Sequence, residues 1–220
     1  MTNRQLALAQ LLERADITAD VGCDHGILSL YLLQQNLTRH LFATDISAPS
    51  LAKTERLLAD FGLSDRATCM VLDGLPLDRD FDQVLIAGMG GNEICKILSR
   101  YFDCRESRPM LVLQPMRDFD KVRKLLNSSG YKITVDRMIF DKKFYLLLKA
   151  EAGEQFLTDR QLRFGAIEAS YSETDFQRWL DTKIAKTNQI LSKIDVFNSK
   201  FNELTQFKQE CENIKGCAKC

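Results

Sequence analysis

Apolar residues run along this chain in two different textures. Through the first 150 residues or so they come as short blocks, each closed by a turn residue: Thr18–Val21 before Gly22, Leu41–Ile46 around Asp45, and Ala67–Leu72 before Asp73-Gly74. Phe81–Ala87 then runs into Gly88-Met89-Gly90-Gly91, and Met110–Leu113 into Gln114-Pro115. Blocks of this length, bounded by Gly, Asp and Pro and not alternating with polar residues, predict strands buried on both faces. Between them lie stretches with helical spacing: Ile27–Leu33, and Ser50–Phe61 with Leu51, Leu57, Leu58 and Phe61 apolar and Gly62 as its stop. A helix over Gln5–Glu13 precedes the first strand, and a helix over Phe119–Leu126 follows the fifth. Tyr131–Val135 and Lys143–Lys149 read as two last strands with Asp141-Lys142 in the turn. Strands alternating with helices predict an α/β fold with a seven-stranded, mostly parallel, Rossmann-like sheet.

After Gly153 the glycine-ended strands stop. A helix is expected over Thr158–Ala169. Beyond it Leu180, Ile184, Leu191, Ile194, Phe201, Leu204, Phe207, Cys211 and Ile214 step by threes, fours and sevens. That narrow stripe predicts two antiparallel helices in a short coiled coil, turning near Asn198-Ser199. The expected division is therefore 1–152 for the α/β unit and 153–220 for a small helical coiled-coil unit.

The first strand and its turn, Asp20-Val21-Gly22-Cys23-Asp24-His25-Gly26, carry the most chemistry. A strand, a glycine turn and a helix in that order bring backbone and a helix N-terminus to a ligand. Gly22 and Gly26 stand four apart, so neither the dinucleotide pattern G-x-G-x-x-G nor a phosphate loop can be written here. A cofactor ending in an amino acid suits the loop better: its ammonium needs carboxylates or carbonyls, its carboxylate needs amide donors. S-adenosylmethionine is such a cofactor; an ordinary strand-to-helix turn is the plainer alternative. Asp45, one strand–helix–strand unit later, is placed to accept two ribose hydroxyls, or else to cap the helix that starts there. Asp73, before Gly74, suits an adenine amino group or an ordinary turn. Acids at the ends of three successive strands, Asp20, Asp45 and Asp73, are more specific together than singly. Three glycines in Gly88-Met89-Gly90-Gly91 imply close backbone approach to a ligand, with Asn92 the expected cap of the following helix.

Composition narrows the class further. The 220 residues are 45% hydrophobic with no apolar run of membrane-spanning length, and the first residues do not read as a signal peptide. A cytoplasmic protein, with no membrane partner, is expected. The seven cysteines are odd in number and scattered, which argues against a disulfide framework. Cys217-Ala218-Lys219-Cys220, even with Cys211, falls short of a zinc set, and no metal site is expected. Thirty basic and thirty acidic residues give no overall charge, so any nucleic-acid contact must come from a local patch. The strongest local bias lies in residues 117–149, with nine basic residues against four acidic, Arg123 and Lys149 among the nine. A solvated helix face explains such a bias as readily as a phosphate contact does.

Taken together, Ala19-Asp20-Val21-Gly22-Cys23-Asp24-His25-Gly26, Asp73-Gly74, Ile86-Ala87-Gly88-Met89-Gly90-Gly91 and Leu113-Gln114-Pro115 resemble the TrmK family of bacterial tRNA methyltransferases. The likeness covers residues 1 to about 150, and the helical tail matches in kind. The resemblance implies S-adenosylmethionine as cofactor, tRNA as partner and N1 of adenine 22 as target. It implies contacts to the methionine end from Gly22, Asp24, His25 and Gly26, and to ribose from Asp45, with Ile46 against adenine. It further implies adenine recognition by Asp73 and Gly74, and a floor of Ala87, Gly88 and Met89. Asp24 is the side chain expected to orient the base or balance its new charge, although holding the cofactor ammonium is a rival role. A monomer is the favoured state. The competing readings are a methyltransferase acting on a small molecule or protein, and a non-catalytic scaffold of the same fold.

Overall fold

The structure, a computed structural model, describes residues 1–217. Its centre is one sheet of seven strands: β1 (Ala15–Val21), β2 (Thr38–Asp45), β3 (Ala67–Val71), β4 (Gln83–Met89), β5 (Met110–Pro115), β6 (Tyr131–Asp141) and β7 (Lys143–Ala152). Their order is β3-β2-β1-β4-β5-β7-β6. Strands β1 to β5 pair in parallel, and β7 runs antiparallel to both of its neighbours. Parallel neighbours need crossover helices. These are α2 (Ile27–Gln34), α3 (Ala48–Asp60), α4 (Gly91–Cys104) and α5 (Phe119–Ser128), with α1 (Asn3–Ala9) leading in. The winding reverses between β1 and β4, which opens a crevice at their C-terminal ends.

Alternation along the strands splits the apolar side chains between the two faces. Val84, Ile86, Leu111 and Leu113 face α4 and α5, where Ile94, Leu98, Val122 and Leu126 cover them. Leu85, Val112, Leu41 and Ala43 face Leu8 of α1, Leu32 and Leu33 of α2, and Leu51 and Leu58 of α3. The first of these layers continues into the C-terminal helices through Phe164, Phe176, Trp179, Leu180 and Cys211.

Those helices are α6 (Asp159–Phe164), a 3₁₀ segment Glu168–Ser172, α7 (Thr174–Leu191) and α8 (Phe201–Cys217). α6 is shorter than the helix expected over Thr158–Ala169. Gly165 stops it at φ 152°, and the Tyr171 hydroxyl donates to its carbonyl at 2.8 Å. α7 and α8 run antiparallel, with Lys215 late in α8 paired to Asp181 in the first half of α7. Their turn, residues 192–200, falls where the apolar phase slips. The stripe is buried only at Leu180, Cys211 and Ile214, while Phe197 at the far end is 94% exposed.

A buried ion pair joins α5, β6 and α6. Arg123 and Asp136 are each 1% exposed and bond in fork geometry at 2.7 and 2.9 Å. Asp136 also accepts the Ala166 amide at 2.6 Å, and Arg123 donates to the Leu162 and Arg163 carbonyls at 3.0 and 3.3 Å. The open carbonyls at the end of α6 thus find a donor. The pair removes Arg123 from the basic bias of residues 117–149, and Lys149 is likewise engaged, by Glu13 and Glu151. It also explains why β6 outruns its expected end at Val135. Asp136 and Arg137 break the apolar pattern, but Asp136 is inside because its partner is.

Candidate functional site

The carboxyl ends of β1, β2 and β4 surround a cavity of about 740 Å³. Its first wall is the turn after β1. Gly22 has φ +71°, a backbone conformation that other residues rarely adopt, and a Cβ there would stand 2.3 Å from the Cε end of the Met89 side chain, which would have to move aside. Asp24 is also left-handed at φ 51° and is held by two other segments. Its amide donates to Oδ2 of Asp45 at 3.1 Å, and its carbonyl accepts from Oγ1 of Thr54 on α3 at 3.0 Å. The Asp24 carboxylate is 69% exposed and lies 2.8 Å from Nδ1 of His25. Nε2 of His25 lies 3.2 Å from Nζ of Lys53. Lysine can only donate, so in this arrangement Nε2 accepts and Nδ1 carries the proton toward Asp24. Gly26 lies behind the cavity rather than in its lining. A Cβ there would be 2.6 Å from Cγ2 of Thr54, so this glycine lets α2 approach α3.

Asp20 and Asp45 form the acidic centre. Asp20 is buried at the end of β1 and accepts from Oγ of Ser29 at 2.6 Å. Burial pushes its pKa up to about 6; the Ser29 bond pulls it back, and the neighbouring Asp45 charge raises it again. Asp45 accepts the Ser47 amide at 2.8 Å besides the Asp24 amide. Its two oxygens have about four acceptor positions, which leaves two for a ligand. Ser47, not Asp45, caps α3 by accepting the Ser50 amide at 3.3 Å. Beside it Ile46, 73% exposed, offers an apolar face to the cavity. Asp73 is paired with Arg100 at 3.3 Å, and Gly74 turns at φ +108° with its carbonyl accepting from Oγ1 of Thr44 at 2.8 Å.

The far wall is the C-terminal end of β4 and the loop that follows it. Ala87, Gly88 and Met89 line the cavity, and Gly88 turns at φ +83°. The loop is stitched to the end of β5: the Met116 amide donates to the Met89 carbonyl at 2.8 Å, and the Gly91 amide to Arg117 at 3.0 Å. A Cβ on Gly91 would come within 2.5 Å of the Asp118 carbonyl. Asn92 is not the cap of α4 that its type suggested. Gly90 takes that position, and Oδ1 of Asn92 accepts from Lys121 at 2.9 Å. Arg4 and Gln5 of α1, and Glu93 and Ile97 of α4, line the same cavity without having stood out in the sequence. Nothing local marks them, since each reaches the cavity only through the packing of its helix.

Among the described residues no three His, Cys, Asp or Glu side chains converge to hold a metal. The C-x-x-C motif ending at Cys220 lies outside the described residues. Burial pushes the Cys23 thiol up to about 12, so it stays protonated beside the cavity at neutral pH. Among the described residues no helix is long and apolar enough to cross a membrane.

A sheet of this order, with a glycine-turned, acid-lined cavity at the ends of β1, β2 and β4, defines a Rossmann-like methyltransferase domain. The family model for TrmK, tRNA (adenine(22)-N(1))-methyltransferase, matches residues 18–216. The Bacillus subtilis tRNA (adenine(22)-N(1))-methyltransferase is 28% identical over 159 residues, 70% of this chain and 66% of that protein. A Mycoplasma pneumoniae protein described as a candidate tRNA methyltransferase is 34% identical over 151 residues, 66% of this chain and 70% of that one. Among solved structures, Mycoplasma capricolum TrmK with S-adenosyl-homocysteine superposes with TM-score 0.89 at 23% identity, covering 98% of both chains. Bacillus subtilis TrmK superposes with TM-score 0.88 at 22% identity, covering 97% of this chain and 98% of that one. The chain belongs to the TrmK family: it is an S-adenosylmethionine-dependent tRNA methyltransferase acting on adenine N1.

Proposed function

We propose that the cavity holds S-adenosylmethionine along the strand ends in the order β1, β2, β3, with adenine 22 of tRNA entering over β4 and β5. The observation that carries this is the single cavity joining the three strand-end acids to the β4 glycine loop. Its residues suit the cofactor. Gly22, Asp24 and His25 face the methionine end, with Gly26 setting the turn from behind. Asp45 retains acceptor capacity for the ribose hydroxyls, Ile46 supplies an apolar face for adenine, and Asp73 and Gly74 form the edge around its amino group. When bound, S-adenosylmethionine supplies an electrophilic methyl on a sulfonium.

Adenine N1 carries an in-plane lone pair and no proton, so the chain need not supply a strong base. Its task is positioning, and tolerance of the positive charge that the ring acquires. Ala87, Gly88 and Met89 present backbone rather than a side-chain carbonyl and a stacking ring, which favours N1 over amino-group chemistry. N1 is a pairing-edge atom, so the nucleotide has to leave its stack. Asp24, exposed and oriented by His25, is the carboxylate we assign to the base. Asp24→Asn should therefore lower kcat by about tenfold or more even when S-adenosylmethionine is saturating, beyond any weakening of S-adenosylhomocysteine binding. Full turnover with weakened cofactor binding would assign Asp24 to the cofactor ammonium instead.

The raised pKa of Asp20 gives a pH signature. A cationic ammonium beside it favours the ionised form, so S-adenosylhomocysteine affinity should climb as pH rises through about 6 and level off above. Stability of the free protein runs the other way. The elevated pKa contributes stability that is fully present below the ordinary value of 3.8 and is lost as pH rises through about 6. Calorimetric titrations from pH 5 to 7.5 read the first effect; an affinity flat across that range would remove Asp20 from the ammonium's surroundings.

Residues 153–220 we assign to a helical coiled-coil unit that steadies the tRNA, in a chain acting as a cytoplasmic monomer. The antiparallel α7–α8 pair supports this reading. A test in cells is direct, because a methyl on N1 blocks base pairing. Reverse transcription of tRNA should stop at position 22 in the presence of this protein and read through in its absence. Unchanged stops would contradict the assignment.

A further inference from the structure

We propose that Arg4 takes a backbone phosphate flanking adenosine 22, and so seats the target nucleotide in the cavity. The proposal rests on the tRNA reading above and names a residue outside the cofactor motifs. The cavity is lined by five carboxylates, Asp20, Asp24, Asp45, Asp73 and Glu93, and Arg4 is the guanidinium among them. Such a lining suits a cationic cofactor and repels a polyanion, so an anionic substrate needs a cation at the point of entry.

Position places Arg4 at the target end. Its amide donates to Oδ2 of Asp141, where β6 turns into β7, at 3.0 Å. Its Nη1 donates to Oε1 of Gln114 at the end of β5 at 2.7 Å, and the guanidinium carbon lies 5.1 Å from the centre of the Tyr145 ring on β7. On the β4 side, Nη1 would be 3.8 Å from a Cβ on Gly88. These contacts aim the group without neutralising it. Gln114 is uncharged and is itself fixed by donating to the Pro115 carbonyl at 3.0 Å. Among the described residues no carboxylate pairs with the Arg4 side chain, and four of its five N–H donors remain for an anion. Lys143, with Nζ 5.2 Å from the same Tyr145 ring, adds a second cation at this rim.

Charge decides between base and phosphate as the ligand. Methylation places a positive charge on the adenine ring, and a guanidinium against the ring would oppose that charge as it forms. On a flanking phosphate the same group acts on a full negative charge in matched geometry.

The experiment compares wild type, Arg4→Gln and Arg4→Lys for equilibrium binding of unmodified tRNA carrying A22 over a potassium chloride series. Two further tRNAs carry a single neutral methylphosphonate linkage, one on each side of A22. Arg4→Gln should weaken binding by about tenfold at low salt and lower the log–log salt slope by about 0.7–0.9. Arg4→Lys should keep the slope. One of the neutral linkages should weaken wild type by a similar factor and leave Arg4→Gln no weaker than before, because the two changes remove one contact. An unaltered salt slope for Arg4→Gln, or full additivity with both linkages, would overturn the proposal. Weakened S-adenosylhomocysteine binding with normal tRNA binding would make Arg4 a latch of α1. Methyl transfer by wild type in the same preparations separates the two failures. Without transfer to A22 the family activity itself fails, whereas with transfer only the role of Arg4 does.

Discussion

Asp45→Ala is expected to weaken S-adenosylhomocysteine binding by at least about a hundredfold while leaving a folded protein. Two things are lost at once. The first is the proposed pair of charge-assisted bonds to ribose, each worth about 1.5–3 kcal/mol, with about 1.4 kcal/mol per factor of ten. The second is the anchor of the empty site, since Asp45 bonds the amides of both Asp24 and Ser47. The turn after β1 then loses one of its ties to β2, although the Gly22 and Cys23 amides still bond the Thr44 carbonyl and Thr54 still holds the Asp24 carbonyl. Asp45→Asn should fall between, because it keeps one acceptor and loses the charge. Calorimetry reads the affinity and thermal melting confirms the fold. An alanine variant within threefold of wild type would mean that ribose is held elsewhere.

The largest effect on stability is expected at Arg123. Arg123→Met leaves the Asp136 carboxylate buried with only the Ala166 amide, and breaking one side of a buried ion pair costs about 3–5 kcal/mol. It also strips the donor from the carbonyls of Leu162 and Arg163. In a chain of this size the midpoint should fall by about 10 °C. The double variant Arg123→Met with Asp136→Leu should recover much of that loss, because a pair removed whole leaves no stranded charge. Urea denaturation measures both. A loss below about 1 kcal/mol for the single variant would show that water reaches the pair.

The two sites differ in how far the sequence exposes them, and the reason is contact range. Asp20, Gly22, Asp45, Asp73 and Gly88 sit at the ends of apolar blocks, and in a parallel sheet every such end faces the same crevice. Block order alone therefore brings them together, and all five line one cavity. Gly26 sits in the same motif but serves α2–α3 packing, a distinction that needs Thr54 in place. Arg4 and Glu93 reach the cavity through helix placement, which has no local signature. Arg123 and Lys149 show the converse error. They read as surface charge because the sequence does not reveal that Asp136 and Glu13 meet them. Asn92 misled in the same way, its type favouring a cap while Lys121 claims its side chain. The helix over Thr158–Ala169 failed at Gly165, whose φ of +152°, a conformation other residues rarely adopt, lets Ala166 reach Asp136.

Membership of the TrmK family assigns to this chain the methylation of N1 of adenine 22. Its most direct test incubates the protein with methyl-labelled S-adenosylmethionine and unmodified tRNA transcripts, one carrying A22 and one carrying G22. Nucleoside analysis of the product would then locate the label. Label is expected on the A22 transcript alone, recovered as N1-methyladenosine. Label on both transcripts, or label recovered as another nucleoside, would contradict it.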